Sequence, residues 1–369
     1  MKFLRRCWAE VDLPRLLLNV KIYKEKSHTR AIMAVVKANA YGHGDIEVAS
    51  ALADSGIDMF AVSNVHEGIR LRDGGITGEI LILGYTPTDF ALELSKYDLT
   101  QTLLSEEYAE ALSKEVCAKD IKCQFAIDTG MKRVGLDAAA PDEAEGVIRR
   151  YAGKLKLTGI YTHLCVCGSD SEDDKKFTSR QVELFCNVTG RVSDLSLPQI
   201  HFMNSAGGLL CECEDIARLG IVMYGLKPDS NFELPEGISP VLEWKTVVSM
   251  IKTVRAGESI GYGRHYVAER DSVIATLPTG YADGYNRLLS NNFYVLINGK
   301  RAKITGNICM DQMMVDVTGL DVRCGDEVVL IGKSGDEIIT ADEMAERIGT
   351  IGYEVVCNIS GRVIRTYKK

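Results

Sequence analysis

The sequence predicts an α/β protein with an N-terminal (β/α)₈ TIM-like barrel over residues 1–235 and a C-terminal, mostly β-strand domain over residues 236–369. The chain of 369 residues is longer than one hydrophobic core usually serves. From residue 13 to about 225, apolar runs alternate with helical patterns, which is typical of a parallel sheet covered by helices. After about residue 235 the apolar runs become short and are separated by Gly, Asn and Asp turns. An open, doubly wound sheet is the alternative for the first domain.

The elements of the first domain follow from the period of their apolar residues. Buried strands are predicted where short apolar runs end in turn residues, at 31–36, 59–63, 79–84, 122–128, 158–163, 200–203 and 216–224. Helices are predicted where apolar residues recur every three or four positions, at 13–20, 45–55, 65–73, 89–97, 105–119, 142–153 and 179–194.

The second domain shows short strands and few helical patterns. Strands are predicted at 246–250, 272–276, 293–297 and 313–317. Asn298-Gly299 is a strong hairpin signal because both residues accept the positive φ angles of a tight turn. A helix is predicted over 341–348, with Thr340 as its N-cap and Glu343 completing a capping box. The domain boundary is expected within 226–240.

Lys37 follows the apolar run at 31–36 and precedes a turn that contains Asn and Gly. A lysine at the end of a buried strand is partly desolvated, so its neutral, nucleophilic amine is favoured. A lysine reaching solvent is the plainer interpretation of this residue alone. However, further polar residues also follow predicted strands, at Asp128, His163, Asn204 and 218–220. Because the carboxyl ends of barrel strands meet on one face, we expect these groups to form a site there.

Composition excludes several classes of function. The net charge is −8 and no long basic run occurs, so nucleic acid and anionic membranes are not expected partners. No window approaches 18 uninterrupted apolar residues, and residues 1–6 lead into no signal-peptide core, so a cytoplasmic protein is expected. The eleven cysteines include only two close pairs, at 165–167 and 211–213, neither with zinc-ligand spacing. We expect buried free thiols and no metal site.

Seven motifs identify the family that this chain resembles. They are VKANAYGHG at 36–44, DTGM at 128–131, NS at 204–205, RLGI at 218–221, GYG at 261–263, GYADG at 280–284 and CMDQ at 309–312. On these residues, and from Trp8 to Val363, the chain resembles bacterial alanine racemases, fold-type III enzymes that use pyridoxal 5′-phosphate (PLP). The resemblance implies interconversion of L- and D-alanine, with D-alanine supplied for cell-wall peptidoglycan.

The resemblance also implies roles for individual residues. Lys37 would form a Schiff base with PLP and act as one base, while Tyr262 would be the second base, contributed by the partner chain of a homodimer. Cofactor-binding roles would belong to Tyr41, His163, Asn204, Ser205, Arg218, Gly220, Ile221 and Tyr353. Of these, Arg218 would face the pyridine nitrogen, and His163 would pack against the ring. Substrate-binding roles would belong to Arg133, Met310, Tyr281, Cys309 and Asp311.

The chain departs from the family pattern at four positions. Ala126 stands where many relatives carry a carbamylated lysine, Lys132 replaces a usual glycine, Asn307 replaces an arginine and Ile364 a proline. Three other functions are considered. A serine racemase would share nearly all motifs, although the bulk of Tyr353 favours alanine. A PLP-carrier protein would lack the second domain that contains Tyr262. A decarboxylase would need room for a longer substrate and a catalytic cysteine near its C-terminus.

Overall fold

The computed structural model describes residues 5–211, 215–229 and 231–369. Within these ranges, eight parallel strands form a nearly closed barrel, in the order Ile216–Leu219, Ala31–Val35, Met59–Val62, Glu79–Ile82, Thr100–Leu103, Lys122–Asp128, Lys156–Tyr161 and Gln199–His201. The backbone N–H of Arg218 donates to the carbonyl of Met203 at 3.0 Å, so the first and last strands of this order lie side by side. The predicted TIM-like barrel is therefore confirmed.

Helices cover the outside of the barrel, since each buries one apolar face against the strands. They span Leu13–Lys26, Asp45–Asp54, Val65–Asp73, Ala91–Lys96, Glu106–Ser113, Pro141–Tyr151, Glu172–Arg191 and Gly207–Leu210, whereas Lys37–Tyr41 forms a left-handed turn at the carboxyl end of its strand. The first helix begins after Asp12, whose Oδ1 accepts a hydrogen bond from the backbone N–H of Arg15 at 2.9 Å. This N-cap fixes the point at which the chain enters the barrel.

The second domain is built on a largely antiparallel sheet. Its strand order is Met250–Val254, Ser272–Leu277, Met313–Asp316, Lys300–Ile304, Tyr294–Ile297, Glu327–Ser334, Leu242–Val247, Cys7–Asp12 and Ile364–Lys368. The remaining short strands are Glu337–Ile339, which pairs with Glu327–Ser334; Ser259–Ile260, which pairs with Tyr266–Val267; and Leu136–Asp137, which pairs with Lys122–Asp128. Two helices, Ala341–Ile348 and Gly352–Cys357, complete this part of the described chain. The mostly β-strand second domain is confirmed.

The N-terminal strand Cys7–Asp12 belongs to the second sheet, where it is antiparallel to Leu242–Val247 and parallel to Ile364–Lys368. This pairing was not anticipated within the predicted first domain, because nothing in a short N-terminal segment reveals a partner more than 200 residues away. The division between residues 235 and 236 otherwise stays a prediction. The two parts share one continuous hydrophobic core, to which Trp244 and Tyr285 contribute fully buried rings.

Some local predictions were correct and others were wrong. The strands predicted at 31–36, 59–63, 79–84, 122–128, 158–163 and 200–203 are confirmed to within two residues at either end. The strand predicted over 216–224 ends at Leu219, because the backbone of Gly220 leaves the extended region and a 3₁₀ turn follows. The helix predicted over 105–119 ends at Ser113, and the strand Thr100–Leu103 was missed because two threonines and a glutamine hide its burial.

The helix at 341–348 is confirmed, and Thr340 Oγ1 accepts from the backbone N–H of Glu343 at 3.0 Å. The reciprocal half of the capping box is absent from the described contacts, since the carboxylate of Glu343 instead accepts from the hydroxyl of Tyr294. No helix in the described ranges is long and apolar enough to span a membrane. The described cysteines are free, but only Cys7 and Cys123 are buried, and Cys213 lies outside the described residues.

Candidate active site

Lys37 lies at the carboxyl end of the strand Ala31–Val35, where the barrel strands converge. Burial lowers the pKa of Lys37, and the positive charge of Arg133 lowers it further, while the carboxylate of Glu67 opposes both effects. The neutral amine is therefore more accessible than in an exposed lysine. This position supports the sequence-based hypothesis that Lys37 is a nucleophile.

The chain directly after Lys37 forms a left-handed turn. Ala38, Asn39, Ala40 and Tyr41 have φ angles of 53°, 56°, 52° and 52°, which L-residues rarely adopt in succession. Such strained backbone persists only where its surroundings hold it, and it clusters at functional sites. The turn directs Tyr41 back towards Gly220, because a Cβ added to Gly220 would lie 2.9 Å from Tyr41 Oη.

Two contacts from outside hold this turn. The carboxylate of Glu67 accepts hydrogen bonds from the backbone N–H of Ala38 at 2.8 Å and of Ser63 at 2.6 Å. At the other end, Gly42 packs so closely on the helix Gly352–Cys357 that an added Cβ would lie 2.2 Å from the carbonyl oxygen of Val356. This contact brings the ring of Tyr353 to 5.9 Å from the ring of Tyr41, between centroids.

Arg218 is buried inside the barrel and donates to several acceptors around it. Its Nη1 lies 2.7 Å from His201 Nδ1, and its Nη2 lies 2.6 Å from the carbonyl oxygen of Thr162 and 3.2 Å from His163 Nδ1. Burial lowers the pKa of Arg218 to about 10, which still leaves the guanidinium charged at neutral pH. Because a guanidinium can only donate, Nδ1 of His201 and Nδ1 of His163 must both accept.

His163 and His201 are both neutral. Burial, followed by the positive charge of Arg218, holds the pKa of each well below its ordinary value. His163 lies at the carboxyl end of the strand Lys156–Tyr161, so the structure brings it together with Arg218 as predicted from the sequence.

The hydroxyl of Ser205 accepts a hydrogen bond from the backbone N–H of Gly220 at 2.9 Å. Its own O–H stays available to donate, in the gap that Gly220 leaves beside Tyr41. Asn204 is engaged differently, because its Nδ2 donates to the carbonyl of Leu164 at 2.9 Å and its Oδ1 accepts from the N–H of Gly207 at 2.8 Å. Ile221 begins the turn that follows, and its side chain is buried.

The second group of predicted residues lies in the C-terminal domain and forms a separate cleft of about 710 Å³. This cleft is lined by Tyr262, Tyr281, Asn307, Cys309, Met310 and Asp311. Tyr262 is 73% exposed, and Asn307 Nδ2 donates to its backbone carbonyl at 2.8 Å. Asn307, one of the departures from the family pattern, therefore positions the backbone that carries Tyr262.

A buried carboxylate organises this cleft. Asp283 is fully buried and accepts from Arg6 through both oxygens, at 2.9 and 3.1 Å, and from the backbone N–H of Gly280 at 3.0 Å. The backbone N–H of Tyr281 donates to the carbonyl of Cys309 at 3.0 Å, which joins the GYADG and CMDQ motifs. Asp311 is held by Arg362 at 2.7 Å.

Arg133 lies beside a small cavity of about 20 Å³ that Ala126 also lines. Among the described residues its guanidinium makes no hydrogen bond or ion pair. Lys132, next to it, has a φ of 56°, in the left-handed region that favours glycine, the residue that the family resemblance led us to expect there. No group of three or more His, Cys, Asp and Glu side chains in the described ranges is placed to hold a metal.

Sequence reasoning missed several residues that support the site. Glu67 accepts a hydrogen bond from the backbone N–H of Ala38, and Asp283 accepts from the guanidinium of Arg6. Inside the barrel, the amide of Gln124 donates a hydrogen bond to Gln199. A glutamine within the apolar strand at 122–128 was one available signal, since a buried amide needs a partner, and Asp283 lies in the GYADG motif although no role was assigned to it. Nothing local in the sequence marks Glu67, which contacts a turn 29 residues away.

Comparison with known proteins identifies the family. The model of the alanine racemase N-terminal domain matches residues 11–228, and that of the C-terminal domain matches residues 241–367. The protein named alanine racemase from Halothermothrix orenii is 43% identical, over 99% of this chain and 97% of that protein. The fold is therefore a TIM-like barrel with an appended β-domain, and the chain belongs to the alanine racemase family.

Solved structures agree with this assignment. The alanine racemase from Bacillus anthracis with bound L-Ala-P has a TM-score of 0.93 and 34% identity, covering 100% of this chain and 96% of that one. A histidine racemase from Leuconostoc mesenteroides subsp. sake has a TM-score of 0.88 and 28% identity, covering 99% and 98%. The same fold thus occurs in racemases that are named for different amino acids.

Proposed function

We propose that the protein interconverts L- and D-alanine with PLP as cofactor, using Lys37 and Tyr262 as bases on opposite faces of the substrate α-carbon. The observation that carries this proposal is the partly buried Lys37, with its lowered pKa, on the barrel face that also bears Arg218 and His163. The full-length similarity to proteins named alanine racemase supports the same activity. We further propose a cytoplasmic enzyme that supplies D-alanine for cell-wall peptidoglycan.

The residues present fit PLP. An anionic phosphate would find the hydroxyls of Tyr41 and Ser205 and the open space over Gly220, which a Cβ would fill. In the described part of the chain, Tyr41 Oη makes no hydrogen bond, so it is available as a donor. Ile221 and Tyr353 would complete the phosphate site, whereas the side chain of Asn204 would shape it through the backbone of Leu164 and Gly207.

The chain's own groups account for the proton transfers. Bound PLP would supply the electron sink that makes the α-carbon of the substrate acidic. Lys37 removes or returns a proton on one face, because its lowered pKa makes the neutral amine available. Tyr262 does the same on the other face. Because Arg218 can only donate, it would hold a cofactor ring nitrogen placed beside it as an unprotonated acceptor, which would weaken the sink and limit side reactions.

We propose that Tyr262 acts in the site of a partner subunit, in a homodimer whose two active sites are each completed by the other chain. The exposure of Tyr262 supports this arrangement, since a catalytic phenol is otherwise expected inside a closed site. The cleft around Met310, Cys309 and Asp311 would then close over the partner's barrel, where Met310 and Arg133 contact the substrate carboxylate. Tyr281 and Tyr353 would narrow the entrance to a side chain as small as that of alanine.

The proposed activity is tested by conversion of L- to D-alanine with purified protein, followed by chiral chromatography while the visible absorbance of bound PLP is recorded. Alanine should be racemised faster than serine. Faster conversion of serine would favour the serine racemase considered above, and no conversion of either would refute the proposal.

The role of Lys37 has its own test. Borohydride reduction followed by peptide mass spectrometry should place the cofactor adduct on Lys37. The variant Lys37→Ala should lose the adduct and all detectable racemisation, whereas Lys96→Ala, which alters an exposed lysine, should retain both. An adduct on another lysine in the wild-type protein would refute the assignment.

A further inference from the structure

A continuous chain of hydrogen bonds runs from Arg218 through the interior of the barrel. Arg218 Nη1 lies 2.7 Å from His201 Nδ1, and His201 Nε2 lies 2.8 Å from Gln124 Oε1. The amide of Gln124 donates to Gln199 Oε1, and the amide of Gln199 donates to the carboxylate of Glu79. A guanidinium and a carboxylate therefore lie at the two ends of one chain of three neutral side chains.

The two ends fix the direction of every bond between them. Arg218 can only donate, so His201 Nδ1 accepts and its proton must reside on Nε2. An ionised Glu79 can only accept, so Gln199 must present its amide nitrogen to Glu79 and its oxygen to Gln124. Gln124 is then left with its oxygen towards His201. Hydrogen bonds that all point the same way polarise one another, which strengthens the chain at low dielectric.

The side chains of this hydrogen-bonded chain occupy buried positions in the barrel that apolar side chains could otherwise fill. Gln124 and His201 are fully buried, and Arg218 is 4% exposed. The strand that separates Gln124 from Gln199 carries Gly159, where a Cβ would lie 3.1 Å from Gln124 Cδ and 3.0 Å from Gln199 Cβ. Glu79 and Gln199 both stand at the first residue of a strand, whereas Arg218 stands near the end of one. The chain thus connects the two mouths of the barrel.

We propose that Gln124 is a positioning residue: through a relay anchored on Glu79 it accepts the Nε2 hydrogen of His201 and holds that ring in one orientation, so that His201 in turn fixes the Arg218 guanidinium that would face the cofactor ring. The consequence for catalysis rests on the function proposed above. The tautomer of His201 and the dependence of its ring orientation on Gln124 do not, because both belong to the protein without cofactor.

The decisive variant is Gln124→Met, which keeps the length of the side chain but removes both bonding groups. The matched control is Gln101→Met, because Gln101 is also fully buried in the barrel but donates only to the carbonyls of Gly84 and Thr102. Both variants should lose thermal stability to a similar extent. Only a residue that positions Arg218 should change the readouts that follow.

Nitrogen-15 spectra of histidine-labelled, cofactor-free protein give the first readout. In the wild type, His201 should show a protonated Nε2 and a bare Nδ1, a pattern that Gln101→Met preserves. In Gln124→Met, the unsatisfied Nε2–H should let the ring reorient, which broadens or splits the His201 signals. A protonated Nδ1 in the wild type, or unchanged signals in Gln124→Met, would overturn the proposal.

Cofactor-loaded protein gives the second readout. In Gln124→Met we expect an altered visible spectrum of bound PLP and a fall in kcat of about 5- to 150-fold, the range that one unsatisfied buried donor can cause, with little change in KM for alanine. If Gln124→Met does not fold, Gln199→Met at the partly exposed next position should show a smaller effect of the same kind. If Gln101→Met has the same effect as Gln124→Met, both changes act through lost packing inside the barrel, and the proposal is overturned. A protein without racemase activity that still shows the nitrogen-15 change would refute the proposed function but support the relay.

Discussion

The carboxylate of Glu67 accepts a hydrogen bond at 2.8 Å from the backbone N–H of Ala38, the residue directly after Lys37. Its second oxygen accepts from the N–H of Ser63 at 2.6 Å, so one side chain joins the ends of two neighbouring barrel strands. Both oxygens of a carboxylate can accept, whereas a glutamine has one acceptor and would turn its NH₂ group towards the other N–H. The strained turn therefore depends on a charge at position 67.

We predict that Glu67→Gln lowers the free energy of unfolding by about 0.5–1.5 kcal/mol, the net contribution of one hydrogen bond whose exposed backbone donor remains within reach of water. Removing the negative charge should also lower the pKa of Lys37 further, because the carboxylate opposes its depression. Urea unfolding checks the first effect, and the pH dependence of cofactor attachment checks the second. Glu183→Gln, an exposed change on the helix Glu172–Arg191, is the control that should alter neither quantity. Wild-type stability in Glu67→Gln would show that the turn holds itself.

The sequence predicted those parts of the fold in which local pattern and tertiary burial agree. The strands around 31–36 and 122–128 are apolar runs, and both are present. The strand Thr100–Leu103 was missed because Thr100, Gln101 and Thr102 are polar in composition although fully buried. The strand Cys7–Asp12 was missed because its pairing with residues 242–247 is a contact that no local pattern encodes.

From the sequence, we could predict only those site residues that would contact the cofactor or the substrate directly. Lys37, His163 and Arg218 stand at strand ends and belong to recognisable motifs, and the structure brings them together. Glu67 and Gln199 act through hydrogen bonds to residues far along the chain, so their importance appears only once the distances are known, and the same holds for the partner of Asp283, although its motif was recognised. The Lys132 departure was visible in the sequence, but its meaning required the φ angle.

Lys132 adopts a φ of 56°, in the left-handed region that favours glycine. We predict that Lys132→Gly is more stable than Lys132→Ala by about 1 kcal/mol, because glycine avoids the steric cost of a Cβ there. Lys132 forms ion pairs with Asp128 and Asp137, at 3.7 and 3.6 Å. Both variants lack these ion pairs, so the pairs do not contribute to the difference between them. Denaturant unfolding measures the difference.

The control site for this comparison is Lys176, exposed within the helix Glu172–Arg191. There the order should reverse, with Lys176→Gly less stable than Lys176→Ala by about 1 kcal/mol, because glycine loses more backbone entropy in a helix. If alanine is also the more stable residue at position 132, the left-handed conformation of this turn is refuted.

Buried neutral histidines should make the protein less stable in mild acid. Burial lowers the pKa of His43 to about 4, although its Nδ1 donates to the carbonyls of Ala40 and Tyr41. Unfolded histidine titrates near ~6.5, so below that pH the unfolded state binds the proton that the folded state refuses. Stability is then complete above about pH 6.5 and falls as the pH drops towards 4. The depressed pKa values of His163 and His201 act in the same direction.

We predict that His43→Gln reduces the loss of stability between pH 7 and pH 5 by about 2 kcal/mol, at ~1.36 kcal/mol for each pH unit below 6.5. Urea unfolding at the two pH values gives the difference, independently of any change in stability at pH 7. His28→Gln, at an exposed position, should leave the difference as it is in the wild type. An unchanged difference in His43→Gln would mean that His43 is protonated in the folded protein.

Tyr262 provides the test of the shared active site. Its hydroxyl is the only group lost in Tyr262→Phe, and removal of a general base typically lowers a rate by about 10²–10⁴-fold. Binding of PLP should be retained, because the predicted cofactor residues lie on the barrel. Tyr85→Phe, which alters an exposed tyrosine on the barrel, should retain full activity.

Mixed dimers then decide which chain supplies the phenol. In a dimer of Lys37→Ala with Tyr262→Phe, one site would combine the intact Lys37 of one protomer with the intact Tyr262 of the other, and the second site would lack both. Random reassembly makes about half of the dimers mixed, so about a quarter of the wild-type activity should return when two inactive preparations are combined. Recovery of this activity would place Tyr262 in the partner's site. Native mass spectrometry verifies that the dimers are mixed. If verified mixed dimers remain inactive, Tyr262 acts within its own chain. In that case a movement of the β-domain, rather than a second subunit, must cover the exposed ring of Tyr262.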